Sequence, residues 1–271
     1  MKPLIIKRPL VSVVMPTYNY AHFIGDAIRS VLDQTYENLE LIIIDNYSED
    51  NTEDVIGSFG ESRIKYKKFS NNGIIAASRN VGIRESRGKY IAFLDSDDMW
   101  ESTKIEKQIE IIENNDNVFL VYTRYIIMRN GTFLRIQPKR EKMKSGKAFI
   151  PLFLSNNFIG SSTVLLRNIL EEDGFLFDED TKLRCSEDFA LWLKIAKDNH
   201  IAFVDEPLVT YREHGGNTSI GILFFLFRYL QVVKRFRHDV SKTLLIGKYL
   251  LIFATIGSLI IKKVLAKKYI I

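Results

Sequence analysis

Cysteine is almost absent from this 271-residue chain, in which Cys185 is the single example. One thiol excludes an internal disulfide framework and a zinc site built from paired cysteines, and it fits a reducing compartment. The chain also lacks the glycine-rich Lys-Ser/Thr phosphate loop of the P-loop nucleotide hydrolases. Its first ten residues, MKPLIIKRPL, lack the apolar region that a signal peptide needs. We therefore expect a cytosolic protein stabilised by a hydrophobic core, and 46% hydrophobic residues suffice for one.

Acidic residues are scarce at one end of the chain. Residues 1–219 carry 28 lysines and arginines against 32 aspartates and glutamates, a net charge of −4. Residues 220–271 carry ten basic residues against Asp239 alone, so the formal charge of +5 is a property of this tail. Because phenylalanine, leucine and isoleucine are interleaved with the basic residues, the tail favours an anionic membrane surface over a nucleic acid as its partner.

Short apolar runs alternate with helical patterns along the first hundred residues. Strands are predicted at 11–15, 39–44, 63–69 and 90–94, and helices at 21–34, 52–59 and 76–85. This alternation predicts an α/β fold, a Rossmann-like open sheet with helices on both faces. Ligands of such sheets lie beyond the carboxyl ends of the strands, which here are the polar clusters at 16–19, 45–46 and 95–98.

The alternation weakens after Trp100. We predict a helix near 103–113, a strand near 118–125 and a hairpin turn at Asn130-Gly131. A second acidic cluster, Glu187-Asp188, opens an amphipathic helix that precedes a strand at 201–204. The connectivity of this half is left open.

Three carboxylates, Asp95, Asp97 and Asp98, fall within four residues at the end of the fourth strand. Their mutual repulsion is unfavourable without a counter-charge, and hard oxygen ligands suit Mg²⁺ or Mn²⁺ bridging to a diphosphate. Taken alone, such a cluster is more typical of a solvated acidic turn than of a metal site.

Five ordered motifs favour the metal site over the solvated acidic turn. They are VVMPTYN at 13–19, IIDNYSEDNT at 43–52, NG at 72–73 with ASRNVG at 77–82, and GKYIAFLDSDD at 88–98. In order and spacing the chain resembles the family 2 glycosyltransferases of the GT-A fold, a mixed-sheet relative of the Rossmann fold. The resemblance covers roughly residues 10–219.

The resemblance implies a donor site for a nucleotide sugar. Thr17, Tyr18 and Asp45 would contact the base and ribose. The full donor set is Pro16, Thr17, Tyr18, Asn19, Asp45, Asn46, Asn72, Gly73, Arg79, Asp95 and Ser96. The family usually has two acids after the second strand, and the Asp45-Asn46 pair here leaves the identity of the nucleotide open.

The resemblance also implies a metal site and a catalytic base. Asp97 matches the metal-binding position, with Asp95 beside it, and His214 is the further candidate ligand for Mn²⁺ or Mg²⁺. Asp188, next to Glu187, matches the acid that takes the proton of the acceptor hydroxyl, so that in-line attack inverts the anomeric carbon. Acids also favour a helix N-terminus through the dipole, and the two roles are compatible.

The tail is predicted to be helical and to meet the membrane. Residues 222–237 carry a basic stripe along an apolar helix, as an interfacial helix does. The 19 mainly apolar residues at 243–261 would extend about 28 Å, near the hydrocarbon thickness, with Lys248 snorkelling. We expect monotopic attachment; a single span, or packing onto the body or a partner, are the alternatives.

The sequence thus predicts an inverting, metal-dependent transferase that moves a hexose or N-acetylhexosamine from a nucleotide sugar, most simply a UDP-sugar, to a lipid-linked glycan. Residues 1–100 would form the nucleotide-sugar-binding half, 101–219 the acceptor-binding half, and 220–271 the membrane-associating helical tail. The expected location is the cytoplasmic face of the bacterial inner membrane, and the product a surface polysaccharide. A polyprenyl-phosphate glycosyltransferase and a non-catalytic nucleotide-sugar-binding scaffold are the alternatives.

Overall fold

The computed structural model describes residues 8–155, 157–169, 175–215 and 222–254, with side chains in the last range from Phe227 onward. Its strands are β1 (Val11–Thr17), β2 (Leu39–Asp45), β3 (Ile64–Lys68), β4 (Tyr90–Phe93), β5 (Met99–Trp100), β6 (Val118–Arg129), β7 (Thr132–Gln137), β8 (Leu165–Arg167) and β9 (His200–Glu213). Its α-helices are α1 (Ala21–Leu32), α2 (Thr52–Gly57), α3 (Ile75–Glu85), α4 (Lys104–Glu113), α5 (Phe149–Leu154), α6 (Glu187–Asp198), α7 (Ile222–Arg235) and α8 (242–254).

The strands form one mixed sheet in the order β3-β2-β1-β4-β8-β6-β9-β5, and β7 pairs with β6 outside this path. In β1 and β2 every residue is buried, as expected for parallel strands with helices on both faces. The predicted α/β fold with a mixed, Rossmann-like sheet is confirmed.

The carboxyl ends of the parallel strands lie side by side. Thr17 pairs with Asp45 across β1 and β2, and Val14 of β1 pairs with Phe93 at the end of β4. The segments that leave these three strands therefore emerge at one edge of the sheet, where the sequence analysis expected the ligand.

The second half of the sheet differs from the parallel pattern. Strand β8, which the sequence analysis did not predict, is antiparallel to both β4 and β6. Strands β6 and β9 run parallel from Val118 and His200 to Arg129 and Glu213, well beyond the ends predicted for them. The length of β9 carries the segment after Glu213 to the same edge as the ends of β1 and β4.

A hydrophobic core lies on each face of the sheet. Alternate residues of one strand point to opposite sides, so that Ala92 of β4 belongs to one core and Phe93 to the other. Helices α1, α2 and α4 cover the first core, and α3, α5, α6 and α7 cover the second. The site is thus supported by packing from both sides.

The two C-terminal helices pack on the body of the protein. Val232 and Val233 of α7 and Ile252 of α8 are buried in the core that contains α6. Of the basic stripe predicted on α7, Arg235 forms ion pairs with Asp178 and Asp180 at 2.8 and 3.1 Å. Packing onto the body, an alternative in the sequence analysis, is therefore observed for residues up to 254.

Lys248 differs from the sequence prediction. Its side chain does not extend toward an interface; it is 2% exposed and turned into the protein. Within the described part of the chain, no helix combines the length and the apolar character needed to cross a bilayer. The final third of the predicted segment 243–261 lies outside the described residues.

Candidate active site

An open cleft of about 1080 Å³ lies at the carboxyl edge of the sheet. Of the residues predicted for the site, the cleft is lined by Pro16, Thr17, Tyr18, Asn46, Gly73, Arg79, Asp95, Ser96, Asp97, Glu187 and His214. Asn19, Asp45, Asn72 and Asp188 do not line it. The motifs are therefore gathered around one cavity, although their members are up to 198 positions apart in the chain.

Asp45 is fully buried beneath the cleft wall. Its Oδ1 accepts hydrogen bonds from the backbone N–H and the hydroxyl of Ser48, at 3.0 and 2.6 Å, and its Oδ2 accepts one from the Tyr66 hydroxyl at 2.7 Å. Both carboxylate oxygens are thus engaged in shaping the loop after β2. The predicted contact of Asp45 with the nucleotide stays a prediction.

Two asparagines shape the neighbouring loops from left-handed backbone positions. Asn19 has φ 55° and its side-chain oxygen accepts a hydrogen bond from the Glu49 backbone at 2.8 Å. Asn72 has φ 51° and precedes Gly73, which does line the cleft. Asparagine tolerates this conformation better than most residues, so both positions support the loop path.

Asn71 is a cleft residue that the sequence analysis missed. Its backbone N–H donates to the side-chain oxygen of Asn46 at 2.9 Å, and its own side-chain oxygen accepts from the Gly73 backbone at 2.8 Å. Asn71 therefore connects the loop that contains Asn46 with the loop at 71–73. The NNG run at 71–73 was the available signal for it.

The three carboxylates of the acidic segment after β4 each contact a different side chain. Asp95 pairs with Arg79, Asp97 lies 3.0 Å from Nε2 of His214, and Asp98 accepts a 2.6 Å hydrogen bond from the Ser162 hydroxyl. Burial, followed by the charge of Asp95, raises the pKa of Asp97, and the contact with His214 opposes that rise. Burial and Asp97 raise the pKa of Asp98 far above its ordinary value.

Arg79 joins the two halves of the site. Its buried guanidinium lies 2.8 Å from Asp95 and 2.9 Å from Glu187. Burial alone would lower the pKa of Arg79, but the two carboxylates raise it above the ordinary value. The sequence analysis placed both residues at the site without foreseeing this bridge, because the partners are 108 positions apart.

Glu187 and Asp188 begin helix α6, as predicted. Asp188 is half-buried, and Oδ2 of its carboxylate accepts a hydrogen bond from the Asn157 side-chain amide at 3.2 Å. Burial and then the neighbouring Glu187 raise the pKa of Asp188 to about 7, whereas Arg79 and Asn157 oppose the rise. A carboxyl with that pKa exchanges protons near neutral pH, as a general base must.

Several buried polar atoms at the cleft have no hydrogen-bond partner among the described residues. They include the Thr17 hydroxyl, Nε of Arg79 and Oε2 of Glu187. Buried polar groups are nearly always paired in a complete assembly. Unpaired polar atoms of this kind are typical of sites that bind polar ligands or ordered water.

His214 is held over the acidic segment by aromatic rings from the start of α1. The ring centroids of Phe23 and Tyr20 lie 4.7 and 5.7 Å from that of His214. Burial and the nearby carboxylates, Asp97 first among them, raise the pKa of Tyr20 to about 12. Burial is the larger cause, and the negative charge of the acidic segment adds to it.

Three arginines that the sequence analysis did not assign to the site also line the cleft. Arg129 and Arg135 come from the β6–β7 hairpin and Arg184 from the turn before α6. Arg129 pairs with Glu213 at 2.7 Å, whereas Arg135 and Arg184 are exposed and make no ion pair with another described residue. The sequence analysis did not single out these arginines, because charge on an exposed hairpin has no distinctive spacing.

The described residues alone do not supply a full set of metal ligands. Among the described residues, no group of three histidine, cysteine, aspartate or glutamate side chains lies close enough to hold an ion. Asp97 and His214 form a pair of oxygen and nitrogen ligands, and Asp95 is turned toward Arg79. A cation bound here would take its remaining ligands from a substrate or water.

Comparison with known proteins was made at the levels of family, sequence and structure. The family model described as glycosyl transferase family 2 matches residues 12–174. The Escherichia coli UDP-Glc:alpha-D-GlcNAc-diphosphoundecaprenol beta-1,3-glucosyltransferase WfgD is 36% identical over 212 residues, which are 78% of this chain and 79% of that protein.

Two solved structures share the fold at low identity. Residues 1–349 of S. aureus TarS, in complex with UDP-GlcNAc, superimpose with a TM-score of 0.68 at 18% identity, covering 86% of this chain and 68% of that one. The mannosyltransferase PcManGT of Pyrobaculum calidifontis, in complex with GDP-Man and Mn²⁺, gives a TM-score of 0.67 at 17% identity over 91% and 70%. Both likenesses concern the fold.

Proposed function

The chain belongs to glycosyl transferase family 2, and we propose that it moves a hexose or N-acetylhexosamine from a UDP-sugar to a hydroxyl of a lipid-linked glycan. The observation that carries the proposal is a single cleft in which Arg79 joins the acidic end of β4 to the acidic start of α6. The product would be a bacterial surface polysaccharide.

The loops after β1, β2 and β3 supply the groups that would bind the nucleotide. The unpartnered hydroxyl of Thr17 is available to a base or ribose, and Tyr18 is 47% exposed at the mouth of the cleft. Asn46 and Gly73 lie beside them, fixed through Asn71. The UDP-sugar preference is supported by the donor in the printed name of WfgD.

Asp97 and His214 fit a divalent cation. They offer one oxygen and one nitrogen ligand, and a cation would relieve the carboxylate repulsion that contributes to the raised pKa of Asp97. When bound, Mn²⁺ or Mg²⁺ would neutralise charge on the departing nucleoside diphosphate. Asp95, held by Arg79, would stay close to the ribose side.

Asp188 is our choice of catalytic base. The acceptor oxygen forms a bond to the anomeric carbon as the bond from that carbon to the nucleoside diphosphate breaks, and the acceptor proton passes to Asp188. The attack comes from the face opposite the leaving group, so the configuration is inverted. Glu187 and Arg79 orient the start of α6, and the pKa of Asp188 near 7 suits proton uptake.

Two arginines that line the cleft support the proposal of an anionic acceptor. Arg135 and Arg184 have no acidic partner among the described residues, and both line the cleft. The acceptor in the name of WfgD carries a diphosphate, which guanidinium groups bind well. We therefore propose that the acceptor of this chain is also linked through diphosphate.

The exposed side of α8 supports attachment to a membrane surface. Ile246, Leu250 and Phe253 are 59%, 64% and 63% exposed, and their spacing of four and three residues places them on one face of the helix. Lys242, at the start of the helix, is also exposed. We propose peripheral attachment to the cytoplasmic face of the bacterial inner membrane through this ridge and the basic charge of residues 220–271.

A donor screen with lipid acceptors tests the function. Release of nucleoside diphosphate is measured with Mn²⁺ for UDP-, GDP- and dTDP-sugars, with a diphosphate-linked saccharide or polyprenyl phosphate as acceptor. We expect turnover of one UDP-sugar with the diphosphate-linked acceptor, loss in Asp97→Ala, and wild-type turnover in Asp116→Ala, which changes a fully exposed aspartate. Turnover with polyprenyl phosphate alone would refute the proposed diphosphate-linked acceptor. Donor binding without transfer to any acceptor would indicate a non-catalytic scaffold that binds nucleotide sugars.

A further inference from the structure

The ammonium group of Lys248 lies inside the protein without a carboxylate partner among the described residues. Its Nζ donates to the backbone oxygens of Leu154 and Ser155, both at 2.9 Å, and to the Tyr229 hydroxyl at 2.6 Å. Burial lowers the pKa of Lys248 to about 8. Three donors thus meet three oxygens, and two of those oxygens belong to the backbone at the C-terminal end of α5.

Tyr229 of α7 reaches the same place from the neighbouring helix. Its hydroxyl, which accepts from Lys248, donates to the backbone oxygen of Ser155. Its ring stacks on Phe189, with centroids 5.2 Å apart and planes 6° from parallel. Phe189 follows Asp188 directly in α6, so α7 touches the catalytic helix at its first turn.

Asn157 links this contact to the carboxylate of Asp188. Its side-chain oxygen accepts from the Ile159 backbone at 3.2 Å, which leaves its amide to donate to Asp188, also at 3.2 Å. The carbonyl of Ile159 in turn accepts from Nε1 of the buried Trp192 at 3.1 Å. Asn157 is two residues after Ser155 in the chain, so the backbone position of Ser155 limits where the Asn157 amide can lie.

We propose that Lys248 and Tyr229 are positioning residues for Asp188: the C-terminal helices fix the backbone at Leu154 and Ser155, and through Asn157 they fix the catalytic carboxylate. The proposal rests on the proposed function, because it takes Asp188 as the base. It gives residues 222–254 a part in catalysis that is independent of any membrane.

The three hydrogen bonds of Lys248 offset the cost of burying its charge, so the arrangement adds little net stability to the fold. Burial of an ammonium group without an opposite charge is unfavourable unless every donor is satisfied. Methionine would fill nearly the same volume at position 248 without the cost of desolvating a charge. Lys248→Met should therefore affect catalysis far more than it affects folding.

Steady-state kinetics on the full chain tests the proposal. The acceptor is a short-chain, water-soluble diphosphate-linked saccharide, and no vesicles are present. We expect Lys248→Met and Tyr229→Phe to lower kcat at least tenfold while the KM of the donor stays within twofold of wild type. The control is Lys67→Met, which removes an exposed charge from β3 and should leave both constants unchanged.

Hydrogen exchange provides a second reading that does not depend on activity. We expect faster exchange at 154–160 in Lys248→Met and Tyr229→Phe, and wild-type exchange in Lys67→Met. Wild-type kcat together with wild-type exchange in both variants would overturn the proposal. Wild-type turnover in Asp188→Asn would overturn the base assignment, and the positioning role would fall with it. Faster exchange in a chain that transfers no sugar would refute the proposed function while leaving the packing contact established.

Discussion

Replacement of Arg79 should destabilise the fold more than replacement of any surface cation. In Arg79→Met the carboxylates of Asp95 and Glu187 lose their shared partner. Their side chains are 30% and 8% exposed, so most of the cost falls on Glu187. Removing one member of a buried ion pair typically costs about 3–5 kcal/mol. At about 2–4 °C per kcal/mol, the thermal midpoint should fall by about 6–20 °C.

Urea unfolding followed by circular dichroism measures this free energy. Glu187→Gln in the Arg79→Met background should recover at least half of the loss, because the amide removes the uncompensated charge. The control is Lys67→Met, which breaks an exposed pair with Glu85 and should cost less than about 1 kcal/mol. A loss below about 1 kcal/mol in Arg79→Met, or no recovery in the double variant, would refute the reasoning.

Further outcomes are expected for catalysis, donor binding, folding and membrane attachment. The kcat of the wild type should rise with pH to a plateau, with a midpoint near 7, because the catalytic base must be unprotonated. Asp188→Asn should lower kcat at least 100-fold, while calorimetry should show that the donor is still bound. Thr17→Val should raise the KM of the donor about three- to tenfold and change the unfolding free energy by less than about 0.5 kcal/mol, since its hydroxyl lacks a partner among the described residues. Gly88→Ala should cost about 1–3 kcal/mol in urea unfolding, because its Cβ would lie 2.6 Å from a backbone oxygen. Phe253→Glu should reduce cosedimentation with vesicles containing phosphatidylglycerol, whereas Ile169→Glu, on the exposed surface of the body, should not.

The local sequence pattern was sufficient to predict the elements of the first hundred residues. The predicted strand at 39–44 is observed as Leu39–Asp45, and the helix at 76–85 as Ile75–Glu85. These elements are long, periodic and separated by turn residues, and parallel pairing follows from their alternation. The acceptor half was harder because the three residues of β8 are too short to show a period, and their antiparallel pairing has no local signal.

The candidate site could likewise be predicted from the sequence only in part. Motifs at strand ends identified residues that do meet in the cleft, since topology places the ends of parallel strands together. The bridge from Arg79 to Glu187 and the inward turn of Lys248 depend on partners about a hundred positions away. An amphipathic pattern shows that one face of α8 is apolar, but it does not distinguish burial in the protein from burial in lipid.

The edge position of β7 has a consequence for the divergence of related enzymes. Four of its six residues are exposed, and it pairs with β6 outside the main path of the sheet. Arg135, which we assign to the acceptor, lies on this strand, far from the residues that build either core. Substitutions in β7 therefore change the surface that an acceptor meets at little cost in folding free energy. A lineage can explore new acceptors through this hairpin while the nucleotide-binding half is preserved.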